Sequence, residues 1–259
     1  CGMEIIMILD LFSLTGKTAV VTGANTGLGQ GICVALAEAG ASVIGVARRS
    51  CAETAEKIAA FNGHFNELIV DLSTPDAVDN IIAGIDSLGE NVDILVNNAG
   101  IIKRADAIDV TEEDWDSVIN LNQRLVFFLS QKIAKKYMIP KNHGKIINIA
   151  SMLSYQGGIR VPAYTSSKSA IIGMTRALAN EWASYGINVN GIAPGYMATN
   201  NTTQIRQDSD RNDAILDRIP AGKWGTPADI CGASVYLASA ASDYVNGFTI
   251  AVDGGWLAR

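Results

Sequence analysis

The sequence lacks the residue groupings that would suggest a metal centre, a disulfide framework or a nucleic-acid surface. It has two histidines, His64 and His143, each in a polar stretch with no second ligand nearby, so the clustered donors of a metal site are missing. Its four cysteines, Cys1, Cys33, Cys51 and Cys231, are far apart and form no CxxC pair. That spacing argues against a disulfide or zinc scaffold and for a reducing compartment. Bases are in the minority, 20 against 26 acids for a formal charge of −6, and no basic run occurs. That balance argues against non-specific binding to nucleic acid or to an anionic membrane and says nothing about a local basic pocket. Long apolar runs are scarce as well. The stretch from Ile5 to Leu9 stops at Asp10 and has no basic leader, which fits neither a signal peptide nor a membrane span. A cytoplasmic protein is expected, with Cys1-Gly2 ahead of Met3 reading as an expression remnant.

What the chain does have is an ordinary globular balance, 48% hydrophobic and 18% charged over 259 residues, enough for one large core. Short apolar, β-rich runs alternate with longer helical patterns. The runs are Thr18–Thr22, Ser42–Ala47, Glu67–Val70, Ile94–Val96, Lys145–Ala150, Asn188–Ile192 and Phe248–Val252. Helical patterns fall near Gly29–Ala39, Ala52–Phe61, Asp76–Leu88, Glu112–Tyr137, Ala163–Tyr185 and Ala228–Ala238. Several strands are apolar throughout, as strands buried on both faces must be. The alternation predicts a single α/β domain, a doubly wound parallel sheet of about seven strands with helices on both faces. The stretch from Gly195 to Pro220 has no clear period, is polar, and is expected to be a mobile substrate lid.

Directly after the first strand stands Thr22-Gly23-Ala24-Asn25-Thr26-Gly27-Leu28-Gly29, leading into an amphipathic helix. A glycine-rich turn can be plain tight-turn chemistry. At the first strand of an alternating chain, however, it brings backbone amides and a positive helix end to a pyrophosphate. The second strand ends Ala47-Arg48-Arg49, where an acid would bind a ribose 2′-hydroxyl and an arginine would suit a 2′-phosphate. Arg48 points to NADP, yet Thr26 is not a second basic residue in the glycine turn, so these residues leave the cofactor open.

Tyr164 and Lys168 are four apart and share one helix face. A lysine ammonium there favours tyrosinate and lowers the tyrosine's pKa toward working pH, making it an acid/base group for an alcohol/ketone pair. Ser151 follows a strand, thirteen residues before Tyr164, at the sheet end where ligands bind, and its hydroxyl can orient a substrate oxygen.

In order and at family spacing, TGANTGLG at 22–29, Asp71 after strand three, Asn97-Asn98-Ala99-Gly100, Asn122, Ser151, Tyr164-x-x-x-Lys168 and Pro194-Gly195 resemble the classical short-chain dehydrogenase/reductase family, over nearly the whole chain. The resemblance implies a Rossmann-type fold and a catalytic set of Asn122, Ser151, Tyr164 and Lys168, with Asn122 holding a water in a proton relay. It implies a cofactor site made of Gly23, Asn25, Thr26, Gly27, Leu28, Gly29, Arg48, Asp71, Leu72, Asn98, Ala99, Gly100, Tyr164, Lys168, Pro194, Gly195, Met197 and Thr199. Relatives of this kind mostly use NAD, which tips the expectation to NAD(H) over NADP(H). The strings NNAGIIKRADA, APGYMATNNT and DRIPAGKWGTPADI are similar to those of the bacterial sugar-acid dehydrogenases of keto-deoxygluconate and gluconate type.

A sugar acid needs a cation near its carboxylate. Lys103, Arg104 and Arg160 are the candidates, with Gln156, Tyr155 and Tyr196 for hydroxyl contacts; solvated surface cations would explain the first three equally well. The partners expected are therefore a small sugar acid and, from the resemblance, three further copies of the chain in a homotetramer. Two other functions remain in view. A 3-oxoacyl-carrier-protein reductase shares the catalytic set but wants basic surface for an acidic carrier. A dinucleotide sensor without catalysis would not need all four catalytic residues.

Overall fold

The computed structural model describes residues 7–259. The expectations that concern Cys1 to Ile6 lie outside the described residues. The sheet is built from β1 Thr18–Thr22, β2 Ser42–Ala47, β3 Phe65–Ile69, β4 Ile94–Asn97, β5 Gly144–Ile149, β6 Ile187–Pro194 and β7 Thr249–Val252. Its order is β3-β2-β1-β4-β5-β6-β7, with every pairing parallel.

Alternation along the strands explains the layers. In β1, Ala19 and Val21 point into the cluster formed with helices α1 (Gly27–Glu38) and α2 (Ala52–Ala59), while Val20 points to the opposite cluster. Side chains two residues apart share a face, so a strand covered on both sides needs apolar residues throughout. β1 is buried at all five positions. The first layer also holds α9 (Cys231–Ala238). The second is made by α3 (Ala77–Ser87), α5 (Leu125–Ile133) and α6 (Pro162–Trp182). β3 is the exception that fits: at the sheet edge, it keeps Asn66 and Glu67 beside Leu68. It begins at Phe65, earlier than expected, because Phe65 already pairs with Val43.

The expected helix Glu112–Tyr137 is present and unbroken, but it is not α-helical throughout. α4 (Glu112–Ile119) widens into a π turn over Asn120–Arg124, then α5, then a second π turn over Ala134–Met138. Its Phe128 remains exposed, as do Tyr244 and Phe248 before the β7 edge. The segment expected to be aperiodic is folded: α7 (Thr203–Gln207) and α8 (Ser209–Arg218) occupy it. Asp208 caps α8, accepting from the Arg211 amide at 3.2 Å. Of this polar stretch Met197, Ile215 and Ile219 are buried, the two isoleucines with Met152 and Trp256, so α7 and α8 carry too few apolar positions for a helical period to show. No helix among the described residues is long and apolar enough to cross a membrane.

Beneath the carboxyl ends of the strands runs a buried polar chain. Asn97 Nδ2 donates to Asn148 Oδ1 at 2.8 Å and to Ser130 Oγ at 2.9 Å, while Asn148 Nδ2 donates to Thr175 Oγ1 at 3.0 Å. It ties β4, β5, α5 and α6 together just below the ligand end. Each partner is satisfied, which is the condition for such a chain to stabilise rather than cost. Asn148→Ala should lower the unfolding free energy by about 2–4 kcal/mol, read as a lower urea midpoint at unchanged m. A midpoint unchanged within error would show that the chain contributes nothing.

Candidate active site

The order of the strands reverses at the β1–β4 boundary, and the carboxyl ends there open a crevice. A cleft of about 620 Å³ occupies it, within the usual range for small-molecule sites. All the residues expected to hold the cofactor line this cleft, from Gly23 through Thr199, as do Ser151 and Arg104.

Backbone chemistry shapes its phosphate end. Gly23 and Gly27 have φ of 71° and 58°, open to glycine at little cost. A Cβ on Gly29 would sit 2.1 Å from the Gly23 carbonyl oxygen, so no other residue fits where α1 meets β1. The first turn of α1 carries no acid, and the side chain of its N-cap, Thr26, caps none of its amides. Free amides at a positive helix end suit a pyrophosphate. Thr22, at the end of β1, accepts from the amides of Asn98 and Ala99, both at 3.0 Å, and Asn98 Nδ2 returns a bond to the Thr22 carbonyl at 2.8 Å. Asn98 thus locks the turn to β4. At the other end, Asp71 accepts from the hydroxyl and amide of Ser73, which hold its carboxyl below the usual range, with Arg48 adding to the effect. The fit to a dinucleotide is good in volume, amides and close backbone approach.

The residues expected to do the acid/base work meet where β4, β5 and α6 converge. Tyr164 and Lys168 lie one turn apart on α6, and Lys168 Nζ is 5.8 Å from the Tyr164 ring centre. Lys168 is buried and donates to the Ile149 carbonyl at 2.6 Å. Asn122 sits in the first π turn and is not on the cleft wall. Its Oδ1 accepts from the Ile101 amide and its Nδ2 donates to the Ile101 carbonyl, each at 2.9 Å. Wide turns of this kind are frequent at functional sites. A Cβ on Gly100 would lie 3.1 Å from Asn122 Oδ1 and 3.7 Å from Lys168 Nζ, so these three residues share one corner. Ser154 Oγ donates to the Lys168 carbonyl at 2.6 Å and ties the segment after Ser151 to α6.

Comparison with known proteins fits this geometry. The short-chain dehydrogenase family model described as enoyl-(acyl carrier protein) reductase matches residues 23–257. The 2-dehydro-3-deoxy-D-gluconate 5-dehydrogenase of Dickeya dadantii (strain 3937) is 59% identical, covering 98% of this chain and all of that one. The chain belongs to the short-chain dehydrogenase/reductase family. A solved structure from Agrobacterium tumefaciens, named as a candidate 2-deoxy-D-gluconate 3-dehydrogenase with bound NADP, is 54% identical at a TM-score of 0.91, over 96% of this chain and all of that one. The gluconate 5-dehydrogenase of Burkholderia cenocepacia J2315, solved with NADP and tartrate, is 36% identical at a TM-score of 0.92, over 98% of this chain and all of that one. The expected preference for NAD(H) finds no support among these solved relatives, which were described with NADP.

For a short-chain dehydrogenase the charge balance at α6 is instructive, because it differs from what the spacing alone suggests. Removal from water raises the Tyr164 phenol, while Ser151 and Arg104 pull it back. Lys168 is aimed at the Ile149 carbonyl, and burial pushes its own value down from 10.5 to about 8.

The substrate candidates divide. Arg104 lines the cleft. Lys103 does not, and pairs with Asp114 at 3.1 Å. Nor does Arg160, which pairs with Asp106 at 3.0 Å and accepts at its carbonyl from the Ala105 amide, its backbone left-handed at φ 64°. Gln156 accepts from Arg218 at 3.2 Å, Tyr155 is exposed off the cleft wall, and Tyr196 packs edge-on against Trp224 and Trp256. Thr22, Arg211 and Arg218 were not singled out from the sequence. A polar residue closing an apolar strand could have marked Thr22; nothing in a polar, aperiodic stretch marks the arginines.

Lys168 sets a pH dependence of stability. Its folded value is depressed to about 8, so between about 8 and 10.5 the unfolded chain binds more protons than the folded one, and stability rises with pH. In urea unfolding of the unliganded protein, stability relative to Lys168→Met should be greater at about pH 10 than at about pH 7. A difference that does not change with pH would contradict the depressed value.

Proposed function

We propose that the chain interconverts 2-dehydro-3-deoxy-D-gluconate and its 5-keto form, using NADP(H). The observation that carries the substrate is the 59% identity to the Dickeya dadantii enzyme across the whole of both chains. The cofactor reading rests on Arg48, a cation on the cleft wall at the end of β2 where no acid stands to receive a 2′-hydroxyl. Solved relatives with NADP support it.

When bound, the nicotinamide supplies or accepts the hydride. Tyr164 gives a proton to the keto oxygen in reduction and takes it from the alcohol in oxidation. Ser151 donates to the same oxygen and orients it. Lys168 holds positive charge against the tyrosinate that forms as Tyr164 gives up its proton, so a phenol that is neutral at rest becomes an adequate base only in the assembled site. Asn122 acts by fixing the loop after β4 through Ile101, and its role in a proton relay follows from its place beside Lys168. Arg104 receives the carboxylate, and residues 195–220 act as the lid, with Thr199 on the cleft wall.

The test is NADPH oxidation with 2,5-diketo-3-deoxygluconate. Turnover is expected, with NADPH preferred to NADH. Tyr164→Phe should lower kcat by about 10²–10⁴-fold while the cofactor still binds, and Arg48→Ala should erase the preference for NADPH. Turnover only with acetoacetyl thioesters would move the assignment to a carrier-protein reductase, and cofactor binding without turnover would make the protein a sensor.

A further inference from the structure

Three arginines, Arg104, Arg211 and Arg218, act on the Tyr196 phenol, and among the described residues none of them is ion-paired. The ion pairs present use Lys57, Lys103, Lys132, Lys136, Lys141, Lys145, Arg160 and Lys223. Arg104, Arg211 and Arg218 are in none of them. All three act on the Tyr196 phenol, which removal from water raises and these cations pull back. In a chain of net charge −6, three unpaired cations that act on one half-buried phenol are an arrangement that an anion would complete.

Of the three, Arg218 is the one the fold holds ready. Its guanidinium lies 4.0 Å over the ring centre of Trp256, which is buried and packs edge-on against Tyr196 at 4.8 Å. Its Nη2 donates to Gln156 Oε1 at 3.2 Å, eight residues before Tyr164. The stack and the amide fix the plane of the fork while leaving further N–H donors for an oxyanion. α8, which carries it, is anchored by Ile215 and Ile219 to Met152, the neighbour of Ser151. Arg104 is on the cleft wall, Arg218 is not, and the link between them is Tyr196, which packs on Trp256 under Arg218 and stands between the cleft-lining Gly195 and Met197.

We infer that Arg218 is the second cation of the substrate's carboxylate subsite, acting with Arg104 so that α8 selects a short sugar acid over an uncharged sugar. This rests on the sugar-acid reading above and deepens it. The acid's carboxylate would take the free side of the guanidinium fork, drawing the lid segment onto the cleft. Selectivity for the acid thus comes from a helix that contributes nothing to the hydride transfer itself.

The experiment compares the acid with its methyl ester and, separately, measures binding of D-gluconate to the NADP⁺-loaded protein by calorimetry. Arg218→Met keeps an unbranched stem against Trp256 and removes the charge. It should lower the acid-to-ester ratio of kcat/KM by roughly tenfold or more and weaken gluconate binding by a similar factor, with Arg218→Lys recovering part of both. An unmoved ratio, acid and ester weakened alike, or unchanged gluconate binding would overturn the inference, as would failure of the unaltered protein to bind gluconate. Failure of the unaltered protein to turn over the acid overturns the reaction assigned above. The gluconate titration then still decides the role of Arg218.

Discussion

Lys168 is a buried ammonium that donates to the Ile149 carbonyl and, among the described residues, has no carboxylate partner, and the site is arranged around that constraint. Burying a cation without a counter-ion is costly, which is why its value falls to about 8. The surrounding elements are fixed by bonds that converge on it. Asn122 pins Ile101 and hence Gly100 from the π turn, Ser154 bonds the Lys168 carbonyl from the segment after β5, and the Asn97–Asn148–Thr175 chain holds β4, β5 and α6 below. Tyr164, one turn away, inherits this environment. Burial raises its phenol and keeps it protonated at rest, so in the role proposed for it Tyr164 starts as a proton donor and needs added positive charge to act as a base.

Much of this was legible in the sequence, because its causes are local. Strands buried on both faces must be apolar at successive positions, and β1, β2 and β5 read that way. The glycine turn and the four-residue spacing of Tyr164 and Lys168 carry geometry in residue type alone. β3 was placed late because an edge strand mixes polar with apolar positions. The π turns within 112–138 left no mark, since a widened turn does not disturb an amphipathic pattern enough to be seen.

Long-range electrostatics could not be read in the same way. Arg160, which precedes Tyr164 closely, is committed to Asp106, and Lys103 to Asp114. Arg218, far along the chain in a stretch without apolar period, is brought beside Gln156 and Trp256 by Ile215 and Ile219 and by the bond from Trp224 Nε1 to Asn212. Proximity in sequence therefore nominated cations that the fold had already neutralised. Among the described residues Arg104, on the cleft wall, and Arg211 and Arg218, on α8, are left unpaired, and in an acidic chain such cations concentrate positive potential on their side of the molecule.

The central claim, that burial holds Tyr164 neutral in the resting protein, is tested most directly by NMR of the chain labelled with ¹³C at tyrosine Cζ. Tyr164 would be assigned by its loss in a phenylalanine variant. The account predicts that the unliganded Tyr164 signal keeps its neutral-phenol shift beyond about pH 10 and moves to a lower titration midpoint when NADP⁺ is added. A Tyr164 that already ionises below about pH 8 in the unliganded chain would contradict it.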